Sequence, residues 1–507
     1  MEELKKEKLI LEILADAYVF LTIIFFPLMV DSTGFFHIFE IKWYTYLIMA
    51  STYVGLNFIV LMYFLIAKKI NYFKTIKMTI IQWLAIAFWA VNIISCFASP
   101  FFKNYNLFVG VGRGEGLIMI SLYVMTFLCV SLFAKFKKKY ILYFTISSIL
   151  LNTIATLQYI GFNPFNMYQR GIGTHNVSFM TTIGNIDFIS ALYTILLSIS
   201  CSAFIFFEDS KKYEKILHLI SVFLGFFIIG IINVSSGKVA FLATLVIIFP
   251  FIISTNKRFS RFLVVIATIL LAYCVNIIIN PEYHYNIGKL GFYFQFNYIV
   301  VLFFIVIVAL IFLARKLYQL DYNFAQKKKV IKNLYLSIIG LGVLGLLFLY
   351  FVDIKMGMIH EMHELLHGNF DDNFGTYRIF LWKRTIKLIP EYPLLGSGPD
   401  TFAIRFMAKY TADVAKLGPI TINDTAANVY LTMIINIGII GLTSYLTFIF
   451  AQLKSGIKKI TTESSILLVA VICFIIQDFF NLWLVIVTPI FWLLLAIHYI
   501  SLKNEKK

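Results

Sequence analysis

Four cations of this chain stand between apolar stretches, at places where a membrane enzyme could use them. Arg113 lies in Gly112-Arg113-Gly114-Glu115-Gly116, immediately before a long apolar run. Arg170 lies in a sizeable polar connection, Lys238 in Ser235-Ser236-Gly237-Lys238, and Arg378 at the start of a periodic segment after Gly375. Arginine offers a planar fork of donors and lysine a point charge, so such a set suits a diphosphate carried on a lipid. A cation at membrane depth usually has a partner or a function. The structural alternative is that these side chains snorkel to the headgroups or pair with Glu115 and Asp187.

Two further patterns carry chemistry on paper. His363-Glu364-Leu365-Leu366-His367 has the form of a zinc site with a glutamate base. The motif is short enough to recur by chance, no ligand shell is evident beyond His360 and Glu361, and it falls in a polar loop, so no metal is expected. Thr182-Ile183-Gly184-Asn185-Ile186-Asp187-Phe188 opens an apolar run; Asn185 or Asp187 would cap its helix, or Asp187 would anchor a sugar hydroxyl.

The elements that must position these residues are membrane helices. The 507-residue chain is 60% hydrophobic, only 14% charged, and has mean hydropathy +0.86. A soluble domain is about half apolar and about a quarter charged. Apolar runs of bilayer length fall at roughly 9–30, 43–67, 78–99, 116–134, 140–160, 187–207, 216–234, 239–256, 262–280, 297–314, 334–352, 427–453, 464–481 and 483–502. Dyads of the β-barrel kind do not dominate. The expected fold class is an all-α polytopic membrane protein of about 14 transmembrane helices. The expected organisation is 1–352 for helices 1–11, 353–426 for an extracytoplasmic loop with amphipathic helices, and 427–507 for helices 12–14.

Net charge is +17, and most of the 43 Lys and Arg crowd into alternate short loops. These loops hold, for example, Lys68 and Lys69, Lys137 to Lys139, Lys211 and Lys212, and Lys327 to Lys329. The positive-inside rule then puts both termini in the cytoplasm and the long loop outside. The basic balance is thus a topology signal, and no nucleic-acid partner is expected. The first apolar run exceeds the h-region of a signal peptide, so an uncleaved span is expected. The five cysteines lie inside predicted spans and imply neither disulfides nor metal.

Within the long loop, Asp371, Asp372 and Asn373 precede Gly375 and offer a helix start. Ile379, Trp382, Ile386 and Ile389 then recur at helical spacing among Arg378, Lys383, Arg384 and Lys387. That pattern predicts an amphipathic helix over 376–389, able to lie at the headgroup level. Pro390 and Pro393 end it, Gly396-Ser397-Gly398-Pro399 turns, and a second helix is predicted over about 400–411.

In order, spacing and sidedness these pieces resemble the O-antigen ligase and O-antigen polymerase superfamily of bacterial membrane glycosyltransferases. The carriers are Arg113 to Gly116, Gly184 to Phe188, Gly375 to Trp382, Pro393 to Pro399, and Asn428-x-Tyr430-Leu431 with Gly438 to Leu442. The resemblance covers about residue 95 to the end. It implies a GT-C-like bundle that transfers a glycan from undecaprenyl diphosphate at the outer face of the cytoplasmic membrane. The acceptor hydroxyl belongs to a glycan, a lipid or a protein. No cofactor is implied beyond that donor, and membrane lipid is the other partner. By position, Arg113, Lys238, Arg378 and Arg170 would hold the diphosphate. Glu115, Asn185, Asp187, Asp424 and Asn428 would meet sugar or acceptor, or serve structure. At Lys238 the family tends to have Ser-Arg-Gly, so the cation is shifted or substituted here.

The family pattern Ala-His-Asn reads Ala426-Ala427-Asn428 in this chain, and its His is the presumed general base. Alanine cannot accept a proton. Ala427 is therefore either an introduced replacement or the mark of a diverged homologue that is inactive or uses Asp424 or a loop histidine. The competing reading is a transporter or flippase for lipid-linked glycans. Transporters tend to show two related halves and broken helices, and the sequence shows no such halves. An oligosaccharyltransferase acting on protein is the third reading, and polymerase and ligase are not separated.

Overall fold

The computed structural model describes residues 2–69, 77–168, 176, 178–208, 210–284, 289–294, 298–324, 327–355, 357–417 and 424–503. Among these, twelve helices are long and apolar enough to cross a membrane. In chain order the long elements are α1 (Glu2–Phe20), α2 (Ile38–Ile66), α3 (Ile80–Ala98), α4 (Leu117–Phe133), α5 (Lys139–Tyr159), α6 (Ile186–Phe206), α7 (Lys212–Ile232), α8 (Ser235–Ile252), α9 (Asn256–Ile278), α10 (Tyr298–Gln319) and α11 (Lys328–Phe351). Three helices of the polar insertion follow, α12 (Gly357–Leu366), α13 (Phe374–Leu388) and α14 (Phe402–Val414). The chain ends with α15 (Val429–Lys458), α16 (Thr462–Gln477) and α17 (Thr488–Ser501). The protein is an all-α polytopic membrane protein. Two elements fall short of a full span: α4 and α17 stand where the fourth and fourteenth spans are predicted, as shorter apolar helices.

Two departures from ideal helices matter for the site. The first span runs on from α1 through one π-helical turn, Leu21–Phe25, to Leu28. Its last carbonyls, on Phe26 and Pro27, are taken by the buried Nζ of Lys42 at 2.8 and 2.7 Å. A lysine at membrane depth is tolerated there because backbone carbonyls replace its water. The second departure is the approach to α17. Leu484, Val485, Ile486 and Val487 are buried but not helical. Irregular backbone survives at such depth only where protein surrounds it.

Packing is centred on α6, 94% of whose most apolar window is buried. Trp492 of α17 anchors a second centre, stacked on Phe448 at 5.5 Å and close to Phe88 and Trp483. At the periphery, α11 buries no residue of its apolar window. The β-pairing among the described residues is local. Phe179–Met180 pairs with Gly184–Asn185, just before α6, and Ile279–His284 pairs with Lys289–Phe294. The second hairpin lies in a stretch for which the sequence reading predicts no strand.

The insertion packs differently from the amphipathic prediction. α13 buries Phe380, Leu381, Thr385 and Leu388 against Phe402, Phe406 and Ile435, while Ile386 is 55% exposed. The helix is rotated because its apolar face finds protein, on α14 and α15. Arg384 lies over the Phe380 ring at 3.6 Å and pairs with Asp372 and Asp413. The helix also starts late: Gly375, Thr376 and Tyr377 all have positive φ, so regular α geometry begins at Arg378.

Candidate active site

The site is built around a break in α15. Gly438 has φ 68° and ψ −174°, so the helix stops there and restarts. The turn Pro393-Leu394-Leu395-Gly396-Ser397-Gly398 fills the break. The Ile439 and Ile440 amides donate to Pro393 O and Leu394 O at 2.9 and 3.2 Å. In return, the Ser397 and Gly398 amides donate to Ile435 O and Asn436 O at 3.0 and 2.8 Å. Each half-helix end thus recovers partners that the break removed. The approach leaves no room for side chains: a Cβ on Gly438 would lie 2.1 Å from Leu394 O, and one on Gly396 2.4 Å from the Asn436 backbone. From α3, Ser95 Oγ donates to Leu395 O at 2.6 Å and Ser99 Oγ to Ser397 O.

This turn delivers Asp400, which the sequence reading does not single out. Its carboxylate accepts the amides of Gly112, Arg113 and Glu115 at 3.0, 2.9 and 3.3 Å. The glycine-rich loop before α4 is therefore wrapped around one carboxylate of the insertion. Burial pushes Asp400 up to about 6, and the three amides oppose the shift. Glu115 accepts from Tyr123 Oη at 3.0 and 2.9 Å and from the Val485 amide. Burial pushes it up to about 8, so it is largely protonated at neutral pH.

Held in this way, Arg113 places Nε 2.5 Å from Asp424 Oδ2. Neither side chain is fully buried, at 24% and 17% exposure. Arg113 lines a cavity of about 60 Å³ together with Glu115, Asp400, Thr425, Asn436 and Trp483. A water needs about 10–15 Å³ on this measure. The slot therefore takes a handful of waters, and a sugar diphosphate needs it opened.

Arg378 and Asp187 form a neighbouring centre. Arg378 Nε donates to Phe480 O at 3.2 Å and one terminal nitrogen to Gly375 O at 2.9 Å. Burial lowers its guanidinium and the Asp187 charge opposes that. Asn481 Nδ2 donates to Asp187 O at 3.1 Å. The same stretch then puts Leu482 and Trp483 into the Arg113 cavity. Residues 480–483 thus separate the two arginine centres, and Trp382 ties α13 to the far side by donating to Ala426 O at 3.0 Å.

The remaining predicted residues divide by role. Ala427 sits between Asp424 and α15 with φ 47°. Asn428 caps α15 by accepting from the Leu431 amide at 3.0 Å, and Asn185 caps α6 by accepting from the Asp187 amide at 2.8 Å. Lys238 lies in the first turn of α8 and donates to Asn233 Oδ1; it does not line the Arg113 cavity. Arg170 lies outside the described residues. The pairing of Arg113 with Glu115 is corrected, because Asp424 takes the guanidinium and Tyr123 and Val485 take Glu115. His363 Nδ1 lies 2.7 Å from Leu349 O and His367 Nδ1 2.9 Å from His363 O. Among the described residues no three His, Cys, Asp or Glu side chains gather to hold a metal.

A polytopic helical membrane protein with paired arginine centres beside a polar insertion is the class that fold and site define. Residues 295–446 match the family described as O-antigen ligase, which supports the resemblance to the O-antigen ligase and polymerase superfamily. The matched region takes in α10, α11, the whole insertion and α15 through its break, with Arg378, Asp400, Asp424 and Ala427. Arg113, Asp187 and Lys238 lie before it. No curated protein matches the chain.

Proposed function

We propose that the protein transfers a glycan from undecaprenyl diphosphate to an acceptor hydroxyl on the outer face of the cytoplasmic membrane, as a polysaccharide polymerase or ligase. The observation that carries this reading is the junction of the matched insertion with the Arg113 loop: Asp400 holds the loop amides and Asp424 meets the guanidinium. The match of residues 295–446 to the O-antigen ligase family supports activity of the O-antigen ligase and polymerase type. The donor, the outer face and the residue roles are our reading.

In this mechanism the diphosphate competes with Asp424 for Arg113, and Arg378 holds its other end or the departing phosphate. Lys238 and Arg170 belong to the same proposed cationic set. The acceptor oxygen attacks the anomeric carbon with inversion, the bond from that carbon to the phosphate oxygen breaks, and undecaprenyl diphosphate leaves. Arginines aimed at the leaving oxygens stabilise the charge that develops there, so the step is proposed to run without a metal. The acceptor proton needs a base. Position 427 lies three residues after Asp424 and stands in left-handed backbone, a region where Asn, Asp and His are enriched and alanine is uncommon. A histidine there would take the proton, and the chain with alanine would bind donor but turn it over poorly.

The test is Ala427→His with purified lipid-linked repeat units. A ladder of product sizes marks a polymerase, and one finished chain moved to lipid, wall polymer or protein marks a ligase. No transfer above the unaltered chain would sink the assignment of a base to position 427. The broken α15 favours one second reading, transport of the lipid-linked glycan; movement of labelled donor across sealed vesicles without transfer would establish it.

A further inference from the structure

A second cavity, of about 510 Å³, lies among the basic loops of α5, α6, α7, α9 and α16, away from the insertion. Lys138, Lys139, Lys211 and Arg258 line it. The acidic residues on its wall are already engaged: Glu463 with Lys138 at 3.3 Å, Glu208 with Lys257 at 3.6 Å, and Glu214 with the Lys211 amide at 3.0 Å and the Tyr213 hydroxyl at 3.2 Å. Arg258 is different. Its guanidinium lies over the Phe206 ring at 5.4 Å, and its buried Nε has no hydrogen-bond partner among the described residues. A buried donor left unpaired is costly enough to demand an explanation.

Arg258, Phe206 and Thr462 also line a third, apolar cavity of about 430 Å³. Its walls are Phe251 and Ile248 of α8, Tyr335 of α11, and Ile457 and Leu468 beside the α15–α16 turn. Tyr335 Oη donates to Ile247 O at 2.6 Å, which is where α11 meets α8. Ile248 and Val469 continue this space into a fourth, almost wholly apolar cavity of about 240 Å³ between α6, α8 and α9. Polar, cationic space at the basic face thus opens directly into a groove lined by aliphatic and aromatic side chains. Arg258 stands at the junction.

We propose that this bipartite cavity is a binding site for an anionic glycerophospholipid. The headgroup phosphate takes the Arg258 Nε and lies near Lys139 and Lys211, and the acyl chains run past Phe251 and Tyr335 toward Ile248. The amphipathic shape selects a whole lipid over a free phosphate, and the cations select an anionic headgroup over a zwitterionic one. The site is separate from the Arg113 cavity and does not depend on the transfer reaction. Placed there, the lipid fills the space between α8, α11 and the α15–α16 turn, and so supports the lower half of the broken helix.

The test uses the full chain in detergent, titrated with dioleoylphosphatidylglycerol, dioleoylphosphatidylcholine or glycerol phosphate, with retained ligand read by native mass spectrometry. Phosphatidylglycerol is expected to be retained, the other two not, and Arg258→Gln to weaken retention about fivefold, the worth of one basic contact. Equal retention of the two lipids, retention of glycerol phosphate alone, or an Arg258→Gln chain that binds unchanged would overturn the proposal. Should that variant fail to fold, a photoactivatable phosphatidylglycerol on the unaltered chain decides. Crosslinks to the Phe251, Tyr335 and Ile457 walls support the site, and crosslinks scattered over the bundle overturn it.

Discussion

Arg113 illustrates how a side chain is aimed by residues that never touch a substrate. Three amides of its loop converge on Asp400, so the backbone is fixed before the guanidinium meets Asp424. In an Ala427→His background, Arg113→Ala is expected to reduce transfer about 10²–10³-fold, as loss of one donor to developing charge does elsewhere; initial rates with saturating donor measure it. Glu115 gives a pH signature. Its folded value of about 8 lies above the ordinary 4.5, so the folded state holds a proton that the unfolded chain has lost. The stability it contributes is complete below about pH 4.5 and disappears as pH rises toward about 8. Melting temperature should therefore fall across that window, and Glu115→Gln should flatten the fall. Parallel curves for the two proteins would contradict the assignment. Asp400 contributes a smaller fall of the same sign that ends near pH 6.

At the scale of elements, the break in α15 is the feature on which the site depends. Gly438→Ala puts a methyl 2.1 Å from Leu394 O in backbone with φ 68°, and should destabilise by about 1–3 kcal/mol or more. Denaturation of the purified variant checks this, and an unchanged midpoint would mean that the turn can retreat. None of this is legible in the sequence. Residues 427–453 read as one apolar run, Gly438 enters only through the resemblance and without any mark of a break, and the wedge comes from a loop that precedes the span. The helices themselves are legible, because span length and apolarity are properties of a stretch taken alone. The residue types of the Arg113 loop are also legible, but not their partners: Asp400 follows the Gly-Ser-Gly-Pro turn without any mark that its carboxylate would collect distant amides. The rotation of α13 has the same cause. Spacing identifies an apolar face, and only the neighbours decide which way it turns.

At the scale of the whole molecule, orientation is the testable quantity. In a chain with its five cysteines replaced, His360→Cys in the insertion should react with a membrane-impermeant maleimide on intact cells. Lys69→Cys, between α2 and α3, should react only after permeabilisation. The reverse pattern would invert the proposed topology and move the arginine centres to the cytoplasm. The bundle is also uneven in what surrounds its helices. α6 has nearly all of its apolar window inside protein, and α11 has none of it. Each α6 side chain must fit several neighbours, whereas most of α11 is solvated by whatever lipid is present. The two helices should therefore drift at different rates. In a comprehensive substitution library, apolar exchanges along residues 334–351 should be nearly silent, with Tyr335 the exception, and the same exchanges in α6 should be purged.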